Sequence, residues 1–351
     1  MLNPWNRKIY IMKFNVVVGN PPYHIIQKGH YQPLYSKFID FSQQVSSIFS
    51  LILPARFLFD TGKTIKSWNK KVLNNPHFKV LYFEADSTKI FSKDVEIKGG
   101  ICIFYSNKDY VGKPIKIYIP YKPLRSIVQK VEQKDFQSLK CLYYSGNSYK
   151  ITPQLYKDFP EKEYCFDKSK KYVLGTPACE RLGDIWKEQP PNDNNTYIGI
   201  YGRQNNKRVF KWIDSRYVKV PENFPNYKVL IPKASGNGDF GERLGSPMIG
   251  EPFTGSTESF QALGNFKTEF EANAVLKYIK TKFVRVLVSV IKVTQDNAKK
   301  IWAYVPIQDF TKESDIDWTK SVSEIDQQLY RKYGLDESEV TFIESNVKPM
   351  N

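Results

Sequence analysis

The chain has few of the residues that build disulfide or metal frameworks. Its four cysteines, Cys102, Cys141, Cys165 and Cys179, lie far apart among 351 residues, and none forms a CxxC pair. That spacing argues against a disulfide scaffold or a zinc site and suits a reducing compartment. Three histidines, His24, His30 and His77, are too few for a His-based metal cluster. No run approaches the 18 or so apolar residues of a membrane-spanning helix. The opening MLNPWNRKIYIMKF has no apolar h-region, so no signal peptide is expected. The expectation is a cytoplasmic protein without a membrane partner.

Acidic residues are also scarce, 36 against 52 Lys and Arg, for a net charge of +16. The imbalance is uneven: residues 311–351 hold 5 basic and 9 acidic residues, leaving 47 and 27 in 1–310. A basic body with 15% aromatic residues is the usual footprint of a nucleic-acid binder. A solvated, lysine-rich surface is the plainer reading of the same charge. Apolar residues at 41% exclude a disordered chain, and the length suits two or three domains.

The first 110 residues read as alternating strands and helices. FNVVV (14–18) is a short β-branched run, read as a buried strand and stopped by Gly19-Asn20-Pro21-Pro22. Leu34, Phe38, Phe41 and Val45 fall at helical spacing within 33–46. IFSLIL (48–53) suits a buried strand, 63–74 a helix, FKVLYF (78–83) a third strand, and 97–105 a fourth, open to pairing as a hairpin with the residues before it. This alternation predicts an α/β domain with a largely parallel sheet. Beyond about 115, helical periodicity fades through YKPLRS and proline and tyrosine become frequent. Residues 197–212 read as a hairpin turning at Gln204-Asn205-Asn206, 269–292 as an amphipathic helix with an interruption allowed, and 321–333 as a final helix. There is no internal repeat.

Asn20-Pro21-Pro22-Tyr23 stands at the end of the first strand, where sites form in open α/β sheets. Two prolines fix consecutive φ angles and remove two N–H donors. A rigid pair of acceptors remains, the Asn20 amide oxygen and the Pro21 carbonyl, with the Tyr23 ring just beyond. Such a cluster suits an exocyclic amine, which offers two N–H donors. Holding both hydrogens draws the nitrogen toward tetrahedral geometry and frees its lone pair, while the ring stacks on the attached base. The plainer reading is a Pro-Pro turn that ends a strand, with Asn20 capping its own backbone.

FNVVVGNPPYH resembles the catalytic motif of DNA adenine-N6 methyltransferases of bacterial restriction–modification systems, in particular the Taq-type group. LILPARFLF (51–59) is similar to that group's strand-Pro-Ala motif. KIFSKDVEIKGGICIFY (89–105) resembles its later hairpin, whose base-packing aromatic maps to Phe91. KVLIPKASGNGDFG, TESFQALGNF and WTKSVSEIDQQLYRKYGL resemble recognition-domain and tail segments. The resemblance implies a partial Rossmann-like methyltransferase sheet followed by an α+β target-recognition domain. The corresponding division is 1–115 for the catalytic half, 116–310 for DNA recognition and 311–351 for a helical tail. It further implies methyl transfer from S-adenosylmethionine to N6 of a flipped adenine in duplex DNA. Asn20, Pro21, Pro22 and Tyr23 would be catalytic, with Tyr23 and Phe91 stacking on the base. Arg203, Lys207, Arg208 and Arg216, in and beside the 197–212 hairpin, are the expected DNA contacts.

In that family a glycine-rich cofactor motif precedes the catalytic motif by about a hundred residues or more, whereas here 19 residues precede Asn20. The expectation is therefore a cofactor half that is on a second polypeptide or lost, with an apolar sheet edge exposed unless a partner covers it. A cognate restriction endonuclease is a further expected partner. Gly236-Asn237-Gly238-Asp239-Phe240-Gly241 matches GxGxxG, but the turn-rich GERLGSPMIGEPF that follows cannot open a helix, so a loop is expected there. Asp60-Thr61-Gly62-Lys63-Thr64 resembles the end of a phosphate loop but reads as a loop before a helix. Asp86, Glu96 and Lys98 could imitate a magnesium nuclease core. A DNA-specificity subunit without catalysis and a restriction endonuclease are the competing functions.

Overall fold

A computed structural model describes residues 13–27, 30–60, 63–92 and 97–350, leaving aside the side chains of residues 27, 30 and 31. The architecture is mixed α/β, and the chain divides into two compact units, Met1–Pro120 and Tyr121–Asn351.

The first unit runs β1 (Phe14–Gly19), β2 (His24–Gln27), β3 (His30–Pro33), α1 (Tyr35–Val45), β4 (Ser46–Pro54), α2 (Lys66–Leu73), β5 (Phe78–Glu84) and β6 (Ile101–Asn107). Its main sheet has the order β1-β4-β6-β5. Helix α1 carries the chain back across the sheet, so β1 and β4 pair in parallel, from Phe14↔Ser46 to Gly19↔Leu51. Among the described residues no α-helix joins β5 to β6, and β6 returns antiparallel to both β4 and β5. Among the described residues the expected largely parallel sheet is thus parallel at one pair, with β6 wedged between two co-directional strands. Phe49, Phe57, Phe78 and Phe104 are all 2% exposed or less and form an aromatic knot, with ring centroids 5.0–6.3 Å apart. Burial of each such ring stabilises by roughly 1.5–3 kcal/mol.

Strand β1 departs from the buried strand that its sequence suggests. It lies at the sheet edge, and Phe14, Val16 and Val18 are exposed, Val18 by 76%. Its β-branched residues favour the extended backbone, but among the described residues only β4 pairs with it. Asp60 and Thr64 are tied to α2 by side chains: the Thr64 hydroxyl donates to Asn69 Oδ1 at 2.7 Å, and Asn69 donates to Asp60 at 3.1 Å. These bonds fit the loop-before-helix reading; Thr61 and Gly62 lie outside the described residues.

The second unit opens with α3 (Lys122–Glu132), which the sequence reading lost at YKPLRS. Pro123 sits in the first turn, where its missing N–H costs nothing, and Leu124, Ile127, Val128 and Val131 form the buried stripe. Short elements follow: β7 (Tyr143–Tyr144), β8 (Lys150–Ile151), α4 (Pro153–Asp158) and α5 (Ala178–Arg181). Then come β9 (Tyr197–Gln204), β10 (Lys207–Asp214), β11 (Val218–Lys219), β12 (Tyr227–Pro232), β13 (Met248–Gly250), β14 (Thr254–Ser256) and β15 (Phe260–Phe266). Strands β10-β9-β14 form one sheet and β13-β12-β15-β7 another. The β9–β10 hairpin turns at Asn205-Asn206, both with positive φ, as the two-residue turn of a twisted ribbon requires.

Helices α6 (Glu269–Lys280), α7 (Lys282–Val288), α8 (Val322–Lys332) and α9 (Glu337–Asn346) complete the unit. The break between α6 and α7 is at Thr281, whose ψ of 150° ends one helix and whose hydroxyl accepts from Val284 N–H at 3.2 Å to cap the next. Asp326 of α8 accepts the Lys282 and Phe283 N–H groups, both at 2.9 Å. Burial is the main influence on its carboxyl, pushing it up to about 6. Lys130 of α3 meets Glu339 of α9 at 2.6 Å, so residues 311–351 pack within this unit.

Candidate functional site

The carboxyl ends of the parallel strands β1 and β4 lie side by side, and Asn20 follows the last residue of β1. Its side chain is exposed; Pro21 is buried and Pro22 exposed, so the double proline anchors the turn while leaving the amide in the open. The Tyr23 carbonyl accepts Leu34 N–H at 2.9 Å, tying the motif to the end of the β2–β3 hairpin. Burial raises the Tyr23 phenol above its ordinary pKa; the nearby Asn20 side chain offsets part of the shift, and Cys102 adds to it. Even so, among the described residues no group meets the hydroxyl within hydrogen-bonding geometry.

Phe91 arrives from the loop after β5. Asp86 caps a single turn there, accepting Thr88 N–H at 3.1 Å and the Thr88 hydroxyl at 2.6 Å. The buried Ser87 then clamps both arms of the loop. Its carbonyl accepts Phe91 N–H at 2.9 Å, and its hydroxyl accepts Ile97 N–H at 2.7 Å. Gly100 closes the loop at φ +77°, with Ala55 N–H donating to its carbonyl at 2.9 Å. A Cβ on Gly100 would lie 2.3 Å from the Glu84 carbonyl, so only glycine fits. The result places Phe91 edge-on to Tyr23, with ring centroids 6.5 Å apart and planes at 63°. Asn20 and Tyr23, neighbours in one motif, therefore share one end of the sheet with Phe91, which is distant in sequence. Ser87 and Gly100, which hold Phe91 there, escaped the sequence reading; the Gly-Gly pair in KGGICIFY was the available signal.

Residues 4–91 match the family described as Eco57I restriction-modification methylase. A 114-residue stretch is 31% identical to an "Uncharacterized adenine-specific methylase" of Mycoplasma pneumoniae (strain ATCC 29342 / M129 / Subtype 1). The stretch aligned with the mycoplasma protein covers 30% of this chain and 26% of that relative. Two solved structures are similar over most of the chain while spanning about half of their own length. The type IIG restriction endonuclease BpuSI has 11% identity and a TM-score of 0.32, over 90% of this chain and 49% of that one. The Type IIL restriction-modification enzyme MmeI, in complex with DNA, has 8% identity and a TM-score of 0.41, over 95% and 56%. The matched stretch ends at Phe91, so it includes the Asn-Pro-Pro-Tyr cluster and the aromatic residue beside it.

Beyond the matched stretch, the expected DNA contacts divide. Arg203, Lys207 and Arg208 gather at the tip of the β9–β10 ribbon, where Arg208 is directly opposite Arg203. Arg216 follows the far end of β10, and its guanidinium grips Asp214 at 2.8–3.1 Å. That partner holds the Arg216 charge above its ordinary pKa. The Gly236–Gly241 loop resembles an anion cradle, and the cradle is full. Glu242 accepts the N–H groups of Asn237, Gly238 and Asp239 at 2.8–3.3 Å and pairs with the buried Lys292. A carboxylate of the chain thus sits where a cofactor's anion would bind, and this loop does not fit S-adenosylmethionine. In the nuclease-like trio, Asp86 is spent on its turn and Glu96 lies outside the described residues.

Proposed function

We propose that the protein methylates N6 of an adenine turned out of duplex DNA, and that Asn20, Pro21, Tyr23 and Phe91 hold the acceptor base. The observation that carries this reading is the meeting of Asn20, Tyr23 and Phe91 at the carboxyl end of β1. The Asn20 amide oxygen and the Pro21 carbonyl accept the two N–H groups of the exocyclic amine. This fixes the amine's direction and turns its lone pair outward for attack on a methyl carbon. Little acid–base chemistry is needed, because alignment does most of the work. Turning the base out of the duplex costs a few kcal/mol, which stacking on Tyr23 and contact with Phe91 offset at roughly 1–3 kcal/mol per aromatic residue.

S-adenosylmethionine is the donor of this proposal, but the Gly236–Gly241 loop is not its pocket. The β1-β4-β6-β5 sheet is read as part of a Rossmann-like methyltransferase sheet. Its exposed β1 edge is where a further strand pairs, bringing the donor pocket in the same or a second polypeptide; an unpaired apolar edge strand is a hazard that proteins normally cover. The basic second unit is the DNA-recognition unit of this reading.

Two variants test the acceptor site. Tyr23→Phe should keep within about tenfold of wild-type methylation and unfold at the same denaturant concentration, because the ring stacks and the lost hydroxyl has no partner. A hundredfold loss of rate would assign the hydroxyl a chemical part that this account does not give it. Phe91→Ala should weaken base turning by roughly tenfold or more, from the stacking worth above. The readout is the fluorescence of 2-aminopurine at the target position, with circular dichroism confirming the fold. Full fluorescence in a folded Phe91→Ala protein would remove Phe91 from the site.

A further inference from the structure

The second unit contains a cleft of about 460 Å³ between the tip of the β9–β10 ribbon and the strands β12 and β15. Arg203, Arg208, Lys233 and Ser259 are among its lining residues. The arginines face each other across the ladder, an arrangement that repulsion makes unfavourable in the free protein. Lys233 is neutralised by Glu258. Among the described residues no carboxylate forms an ion pair with either arginine, and Asp296, which also lines the cleft, is beyond ion-pair distance of both. Burial, then the charge of Arg203, lowers the Arg208 pKa.

Arg208 is nonetheless held still. Its guanidinium lies 5.3 Å from the centre of the Phe260 ring and donates to the Ser246 carbonyl at 2.5 Å and to Met248 Sδ at 3.6 Å. Beside it, Ser259 is 7% exposed and its hydroxyl has no hydrogen-bond partner. A pre-set fork, an opposed second arginine and an unsatisfied hydroxyl in one cleft await a planar ligand rich in acceptors. A two-stranded ribbon fits the major groove, and there the O6 and N7 of guanine match an arginine fork. Lys207, exposed at the turn, reaches the backbone instead.

We propose that Arg203 and Arg208 are the sequence-reading residues of this protein, recognising guanine edges in duplex DNA with the Ser259 hydroxyl completing the contact. This rests on the DNA-methyltransferase reading and names where that reading's sequence choice is made. The test is selection of a randomised-core duplex pool on the full-length protein, followed by sequencing of the bound fraction. Wild type should enrich a motif containing guanine. Arg208→Ala should relax one guanine position by roughly tenfold or more, and Arg208→Lys, which keeps the charge but loses the fork, should do the same. Lys207→Ala should keep the motif and weaken binding to all sequences alike, reducing the salt slope by about one unit. Circular dichroism checks each variant. If folded Arg208→Ala or Arg208→Lys selects the wild-type motif, or if wild type selects no guanine or prefers a single-stranded pool, the proposal is overturned. A motif that depends on Arg208 but contains no adenine would uphold the cleft and remove the adenine reading, so the two failures are distinguishable.

Discussion

Asn20→Ala should lower the rate of adenine methylation by about 10²–10³-fold, the scale set by removing one preorganised group that acts on the reacting centre. The Asn20 side chain is exposed at the end of β1, and its position is fixed by the buried Pro21 rather than by its own packing. The fold should therefore tolerate the change, with stability within about 0.5 kcal/mol of wild type. Affinity for duplex DNA should stay within about twofold, since most binding energy comes from phosphate contacts elsewhere. Single-turnover methylation at saturating DNA and S-adenosylmethionine separates these effects. A rate within fivefold of wild type would take Asn20 out of the chemistry.

The second large effect concerns stability. Lys292→Met should destabilise the protein by about 3–5 kcal/mol, because it strands the Glu242 carboxylate in a nearly water-free position. Lys292 is 4% exposed and also donates to the Ser235 and Thr294 carbonyls, both at 3.0 Å. With its countercharge gone, Glu242 could no longer hold the three N–H groups of the Gly236–Gly241 loop at low cost. Denaturant titration measures the loss. Glu242→Gln should cost less, since the amide oxygen still accepts from the loop and no unpaired anion remains. A Lys292→Met loss below 1 kcal/mol would show that the loop does not depend on this pair.

How much of this was legible in the sequence follows from how local each feature is. The strand-Asn-Pro-Pro-Tyr turn was readable because β-branched residues and two prolines dictate backbone shape within ten residues. The β9–β10 ribbon was readable for a similar reason, with two asparagines tolerating positive φ. Helix α3 was hidden because helical periodicity fades through YKPLRS, although a first-turn proline is compatible with a helix start. The reversal of β6 was hidden because strand direction depends on the connection, and an apolar run carries no arrow. The exposure of β1 was hidden for another reason. A Val-rich strand looks the same whether neighbours cover it or not. The meeting of Tyr23 and Phe91 came from the family resemblance, whereas the clamp that holds Phe91 joins the Ser87 carbonyl and hydroxyl to backbone N–H groups, and only the Gly-Gly pair marks it in the sequence.

The most direct test of the central claim is the identity of the modified base. Duplex DNA incubated with the active protein and S-adenosylmethionine is digested to nucleosides and resolved by mass spectrometry, with wild type and Asn20→Ala compared side by side. The account predicts N6-methyladenine with wild type and its near-complete loss with Asn20→Ala. N4-methylcytosine or C5-methylcytosine in its place, or N6-methyladenine formed equally well by both proteins, would contradict it.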